Sequence, residues 1–179
     1  MFLSRSLLLA PLSALLAVIP GVARAAEPPC LTVREFTAVA TYALPDILHG
    51  VGAACVPVLG QGAFLAQEGP ALADRYAAAR PAAWPATRAA LARISASQGL
   101  AGALVARLPD ATQQQLFSTL VAGVVAEKVP AQRCGLIDQI LSLIAPLPPE
   151  NTAAIIGMAV GLGARSGQAR MGKFQVCTE

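Results

Sequence analysis

The sequence predicts an all-α protein, a single compact domain of seven to nine helices stapled by two disulfides. Three observations carry this expectation. Alanine, the strongest helix former, is the commonest residue. No stretch alternates apolar and polar residues as a half-buried strand does, and aromatic residues make up only 4% of the chain. The prolines fall between the periodic segments, as they do where they separate helices. No internal repeat of fixed period is present.

The first element is a leader. A short positive start, Met1-Phe2-Leu3-Ser4-Arg5-Ser6, precedes an apolar run from Leu7 to Ile19, and Ala23-Arg24-Ala25 supplies the small residues a signal peptidase reads. Residues 1–25 are therefore expected to be a secretory signal peptide, cut near Ala25-Ala26. Pro11, Ser13, Pro20 and Gly21 make the run too broken and too short for a membrane anchor, which needs about 20 apolar residues. No lipobox precedes Cys30 and no twin-arginine pair is present. The general secretory route into a bacterial periplasm, or secretion beyond it, is the expected destination.

The mature domain, residues 26–179, opens with the capping box Thr32-Val33-Arg34-Glu35. Val33, Phe36, Ala40 and Ala43 then follow helical spacing up to Leu44-Pro45, where proline is expected to end the helix. Pro45 would start a second helix reaching Cys55, closed by Val56-Pro57. A short helix is expected at 61–67, another at 71–80, then 86–96 and 100–108. Asp110 reads as the cap of the longest helix, 111–129, with Gln113 in the capping-box position. Pro130 begins a helix to about Ala145. Pro146-Leu147-Pro148-Pro149 is a stiff connector to a last helix, 150–164, and a Gly/Arg-rich tail follows from about residue 164.

Cys30, Cys55, Cys134 and Cys177 all lie after the leader, and an even number in an oxidising compartment argues for two disulfides. Four cysteines allow three pairings. If consecutive helices form hairpins, Cys30–Cys55 and Cys134–Cys177 each close one, and this pairing is the expectation. No Cys-x-x-Cys occurs, so neither a thioredoxin-like motif nor a zinc ribbon is indicated.

Charge excludes one class of partner. Of the 13 Lys and Arg residues, Arg5 and Arg24 leave with the leader, so 11 face 10 acidic residues. A nearly neutral exported domain is not a nucleic-acid binder. Locally the balance shifts, because residues 69–108 carry Arg75, Arg80, Arg88, Arg93 and Arg107 against Asp74 alone. With Trp84 in the same stretch, Arg75, Arg80, Trp84, Arg88 and Arg93 form a candidate surface for an acidic head group, an acidic partner or peripheral membrane contact. The competing reading is a solvated helical face with Trp84 tucked under a proline turn.

Chemistry-bearing groups are few. Asp46 and His49, three residues apart, are the sharpest pair, and a hydrolase would have to use them. A metal site needs more ligands than one histidine offers, and no mature serine sits in a Gly-x-Ser-x-Gly context. The pair reads better as polar residues on a surface helix. No cofactor, metal or catalytic residue is assigned. Apolar signals are stronger. In residues 152–164, Ala153, Gly157 and Gly161 recur every fourth position and suit close helix packing. The run 120–125 adds apolar surface. Leu136, Ile140, Leu143 and Ile144 read as a core stripe, with Asp138 off it and solvated.

Three function classes follow. The leading one is a non-catalytic exported protein that binds another protein, as an accessory subunit or inhibitor. The alternative is a carrier for a lipid or other hydrophobic small molecule, with the arginine-rich middle meeting an anionic head group. An enzyme using Asp46 and His49 ranks last.

Overall fold

A single 27-residue helix organises the molecule. The computed structural model describes residues 30–96, 98–165, 170–171 and 174–177. The leader expected at residues 1–25 and its cleavage site lie outside the described residues, as does part of the tail. Helix α1 (Val33–Leu59) is followed by α2 (Phe64–Gln67), α3 (Gly69–Ala77), α4 (Arg80–Ala96), α5 (Gly99–Ala106), α6 (Asp110–Lys128), α7 (Cys134–Ile144) and α8 (Pro149–Arg165). Three short strands, β1 (Cys30–Leu31), β2 (Arg170–Met171) and β3 (Phe174–Val176), accompany them. The fold is all-α, and the eight α-helices among the described residues fall within the expected range.

Helix α1 starts as the sequence predicts. The Thr32 hydroxyl accepts from the Glu35 amide at 3.2 Å, and the Glu35 carboxylate accepts from the Thr32 amide at 2.9 Å. It does not stop where expected. Pro45 and Pro57 both lie inside it, and the predicted break at Leu44-Pro45 is absent. An interior proline removes one ladder bond and crowds the preceding turn. Here the cost is offset by burial, since Pro45 is fully buried; beside the Thr41 carbonyl that Pro45 leaves without its helical partner, Arg80 Nε donates to the neighbouring Tyr42 carbonyl at 3.0 Å. Pro85 likewise lies inside α4 instead of starting a helix. Packing from α3, α4, α6 and α8 surrounds α1, which makes it a core helix although its length and hydropathy alone would let it cross a membrane.

The continuous α1 also corrects the disulfide pairing. A helix rises 1.5 Å per residue, so Cys30 and Cys55 stand about 35 Å apart, far beyond disulfide reach. The bridges are Cys30–Cys177 and Cys55–Cys134. Cys30–Cys177 ties the two ends of the domain. Beside it β3 pairs parallel to β1 and antiparallel to β2, and the Cys177 amide donates to the Leu31 carbonyl at 2.8 Å. Cys55–Cys134 is wholly buried and joins the C-terminal end of α1 to the start of α7.

The core has two parts. Ala40, Leu44 and Leu48 of α1 meet Leu72, Ala73 and Tyr76 of α3 and Ala153 of α8. Further along α1, Val51 and Cys55 meet Leu65 and Cys134. The buried Tyr76 hydroxyl satisfies itself on Thr152 Oγ1 at 2.9 Å and the Leu147 carbonyl at 3.3 Å, pinning α3 to the α7–α8 connector. The small residues of α8 behave as their spacing suggests. Ala153 is fully buried, and added Cβ atoms would meet Thr37 at Gly157 and Val33 at Gly161, so this edge of α8 lies flush on α1.

Close approach is equally strict where α1 crosses α6. A Cβ built on Gly50 would stand 2.5 Å from the Ala122 carbonyl oxygen and 2.8 Å from Val125 Cβ, whereas one on Gly52 meets nothing within 4 Å. Gly50→Ala is therefore expected to destabilise by about 1–3 kcal/mol, since backbone must move to admit it. Gly52→Ala should stabilise by about 0.5–1 kcal/mol through helix propensity. Thermal denaturation of the two variants checks the contrast, and equal shifts would contradict the crossing.

Three expected local details differ. Helix α6 begins at Asp110 itself, Pro109 occupies the cap position without a side-chain bond, and Gln113 Nε2 turns back to the Leu108 carbonyl at 2.8 Å. Among the described residues the longest helix is α1, not α6. Asp138 is not solvated: its two oxygens accept from the Leu65 amide at 2.7 Å and the Phe64 amide at 3.2 Å, capping α2 from across the fold.

The clasp at the termini is tied to α4. Arg93 pairs with Glu35 and donates to the Cys30 carbonyl at 2.8 Å. Burial alone would raise the Glu35 carboxyl, but hydrogen bonds from Thr32 and the Arg93 charge outweigh it and hold the group below its ordinary value. A depressed carboxyl stabilises the fold at neutral pH. That contribution is lost as pH falls from the ordinary carboxylate range, about 4.3, through the folded-state value. In Glu35→Gln the stability difference from wild type should accordingly be present at pH 7 and shrink towards pH 3. Urea denaturation across that range tests it, and a pH-independent difference would count against the pairing.

Candidate functional site

The middle of the chain, singled out for its arginines, folds against one side of α1. Asp46 lies on α1, buried, and pairs with Arg80 at the start of α4. Arg80 also donates to Ser118 Oγ of α6 at 3.0 Å, and its guanidinium carbon sits 4.6 Å from the centre of the Tyr42 ring. Tyr42 in turn stacks against Trp84 at 5.1 Å and Phe117 at 5.4 Å between ring centres. Burial pushes the Tyr42 phenol up, against the opposing pull of Arg80, so the ring is neutral at physiological pH. This network joins α1, α4 and α6.

Asp46 and His49 accordingly do not form a surface pair. Asp46 points to Arg80 inside the fold, while His49 is exposed and bonds to no described side chain. Three residues of separation place both on neighbouring parts of α1, but α4 and α6 cover the Asp46 edge only. Among the described residues, no three His, Cys, Asp or Glu side chains gather in a group that could hold a metal ion.

The candidate arginines separate into different roles. Arg75 Nη2 donates to the Ala145 carbonyl at 2.7 Å, tying α3 to the end of α7. Arg80 and Arg93 are occupied by Asp46 and Glu35. Trp84 is buried and donates through Nε1 to Asp110 at 3.1 Å. Arg88 is different. Its Nε meets the other Asp110 oxygen at 3.1 Å, half of its side chain is exposed, and it stands on the wall of a groove.

That groove, about 520 Å³, lies between α4, α5 and α6. Leu91, Val105, Leu116, Phe117 and Leu120 give it apolar walls, and among the described residues Arg88 is the one ionisable residue lining it. One side of it is set by α5, which folds back on α4 at Gly102, where any Cβ would strike the Ser95 backbone. Gln113 lines one end with its amide already committed to the Leu108 carbonyl. The volume falls in the range of about 300–1,000 Å³ typical of small-molecule sites. Leu116, Leu120 and Val124 recur every fourth residue, and that stripe was the available sequence signal for the α6 wall.

A second apolar feature corrects the sequence reading of α7. Leu136, Ile140 and Leu143 do not form a core stripe; they are 50%, 46% and 73% exposed, and Ile137 and Leu141 face the core instead. The Cys55–Cys134 bridge and the Asp138 cap fix the helix's rotation, turning the Leu136/Ile140/Leu143 edge outward. Helix α8 repeats the pattern, with Ile155, Met158 and Leu162 exposed opposite the small residues that contact α1.

No protein-family model, curated protein or solved structure matches this chain significantly. The two disulfides are consistent with export, in which oxidising conditions maintain such bridges.

Proposed function

We propose that the chain is an exported, periplasmic, non-catalytic helical protein that acts by docking to another protein, as an accessory subunit or inhibitor. The observation that carries this reading is the pair of outward apolar stripes, Leu136/Ile140/Leu143 on α7 and Ile155/Met158/Leu162 on α8. Their i, i+4, i+7 and i, i+3, i+7 spacing is the pattern by which a helix presents anchors to a partner surface. Large apolar side chains left in water in such runs mark interaction sites in soluble proteins. The Ala-x-Ala leader and the disulfides support the compartment.

Native mass spectrometry of the protein purified gently from its own compartment tests the proposal. A second polypeptide should accompany it and be lost in Leu143→Glu and Met158→Glu. Both positions are exposed, so stability should change by less than about 0.5 kcal/mol. A bare monomer, or a complex indifferent to both substitutions, would overturn docking through these faces. The second reading, a carrier of a hydrophobic molecule, is favoured by the α4–α6 groove, which shares no residue with the α7 and α8 stripes.

A further inference from the structure

We infer that the α4–α5–α6 groove binds a single-chain amphiphile with an anionic head, its carboxylate on Arg88 and its alkyl chain along Leu116 and Leu120. The inference rests on the carrier reading and adds the ligand's chemical class. Shape and polarity set the tail: the walls are aliphatic and aromatic, and the volume of about 520 Å³ suits one small ligand. Leu116, Leu120 and Val105 are 41%, 64% and 42% exposed, so an alkyl chain lying on them would remove apolar surface from water.

Charge sets the head. Among the described residues Arg88 is the groove's only ionisable lining residue, and Asp110 engages it through Nε. The two terminal nitrogens, which present the fork that matches a carboxylate, have no partner among the described residues. Asp110 is itself fixed by Trp84, so the guanidinium is oriented by a carboxylate that the fold holds in place. Asp110 also offsets part of the Arg88 charge, yet it does not line the groove. Arg107, one residue beyond the lining Ala106, is exposed and has no acidic partner among the described residues, which leaves the surroundings positive. A neutral tail with one anionic end matches this distribution; a nucleotide or an acidic peptide would leave the aliphatic walls uncovered.

Isothermal titration calorimetry of the mature, oxidised protein with dodecanoate and dodecanol, below the micelle threshold, separates the two levels of the argument. Dodecanoate should bind about tenfold tighter than dodecanol, and Arg88→Gln should abolish that preference while leaving dodecanol binding and the melting temperature nearly unchanged. Ala92→Trp, which fills the groove, should remove both. Equal binding of the two probes, or a preference that survives Arg88→Gln, overturns the anionic-head assignment and leaves a hydrophobic carrier standing. Binding of neither probe overturns the carrier reading as well.

Discussion

Arg80→Ala should destabilise the protein by about 3 kcal/mol, the lower end of the range for removing one partner of a buried ion pair. Asp46 would be left in the core, 7% exposed at its side chain, facing the Tyr42 ring with no cation beside it. The same change frees the Tyr42 carbonyl in the proline-disturbed turn and the Ser118 hydroxyl, so α1, α4 and α6 each lose a contact. Arg80 is itself 24% exposed, and water reaching the gap keeps the cost from the upper end of the range. In a domain of this size about 3 kcal/mol corresponds to a fall of roughly 6–12 °C in Tm. Asp46→Leu in the Arg80→Ala background should recover part of the loss, because no buried charge then remains. Additive costs in the double variant would contradict the pairing.

Loss of the buried bridge should be larger. Cys55 and Cys134 lie 79 residues apart, and closing a loop of that length restricts the unfolded chain by about 4.5 kcal/mol. The double variant Cys55→Ser/Cys134→Ser should lose that amount and also place two hydroxyls in an apolar cluster with Val51 and Leu65. Cys55→Ala/Cys134→Ala avoids the second penalty, so the difference between the two variants isolates the buried hydroxyls. Denaturant titration under oxidising conditions measures both, and peptide mapping of the intact protein should recover Cys55 linked to Cys134. A Cys30–Cys55 peptide would refute the fold, since α1 could not then be continuous.

The apolar groove and the arginine network share a physical logic. Polar side chains along α4 are drawn into the structure wherever an acceptor on α1 or α6 faces them: Arg80 to Asp46, Trp84 to Asp110, Thr87 to the Ala38 carbonyl at 3.1 Å, Arg93 to Glu35. Arg88 is drawn to the groove's edge by Asp110 but not buried by it. A locally positive stretch in the sequence thus becomes mostly internal ties, with Arg88 left on the groove wall and Arg107 exposed beyond it.

Much of the architecture was legible in the chain. The capping box at Thr32–Glu35 formed as read because both of its bonds are local, within one helical turn. The helix run from α3 to α8 followed alanine-rich periodicity, and Ala153, Gly157 and Gly161 did mark the edge of α8 that meets α1. The proline positions misled. Pro45, Pro57 and Pro85 read as boundaries because an isolated helix avoids interior proline, yet all three lie inside helices; Pro45 is held by burial against the rest of the fold, whereas Pro57 and Pro85 sit on exposed helix faces. The expected Cys30–Cys55 bridge fell with that break, since it rested on a hairpin that a continuous α1 does not make, and the expected Cys134–Cys177 bridge fell with it because Cys177 pairs with Cys30.

Rotation of the outer helices was hidden for a related reason. In α7 either apolar edge, Leu136/Ile140/Leu143 or Ile137/Leu141, satisfies helical periodicity, and only the long-range anchors at Cys134 and Asp138 choose between them. Sequence by itself determined helix class, the capping box at Thr32–Glu35, oxidised cysteines and the expectation of export, because these depend on local propensity, composition and short motifs. Tertiary structure alone decided which cysteines meet, that Asp46 faces Arg80 and not His49, which apolar edges stay in water and that a groove opens beside Arg88. Those outcomes arise from contacts between helices, most of them from about 20 to 150 positions apart, where each side chain has several acceptable local states and packing between helices selects one.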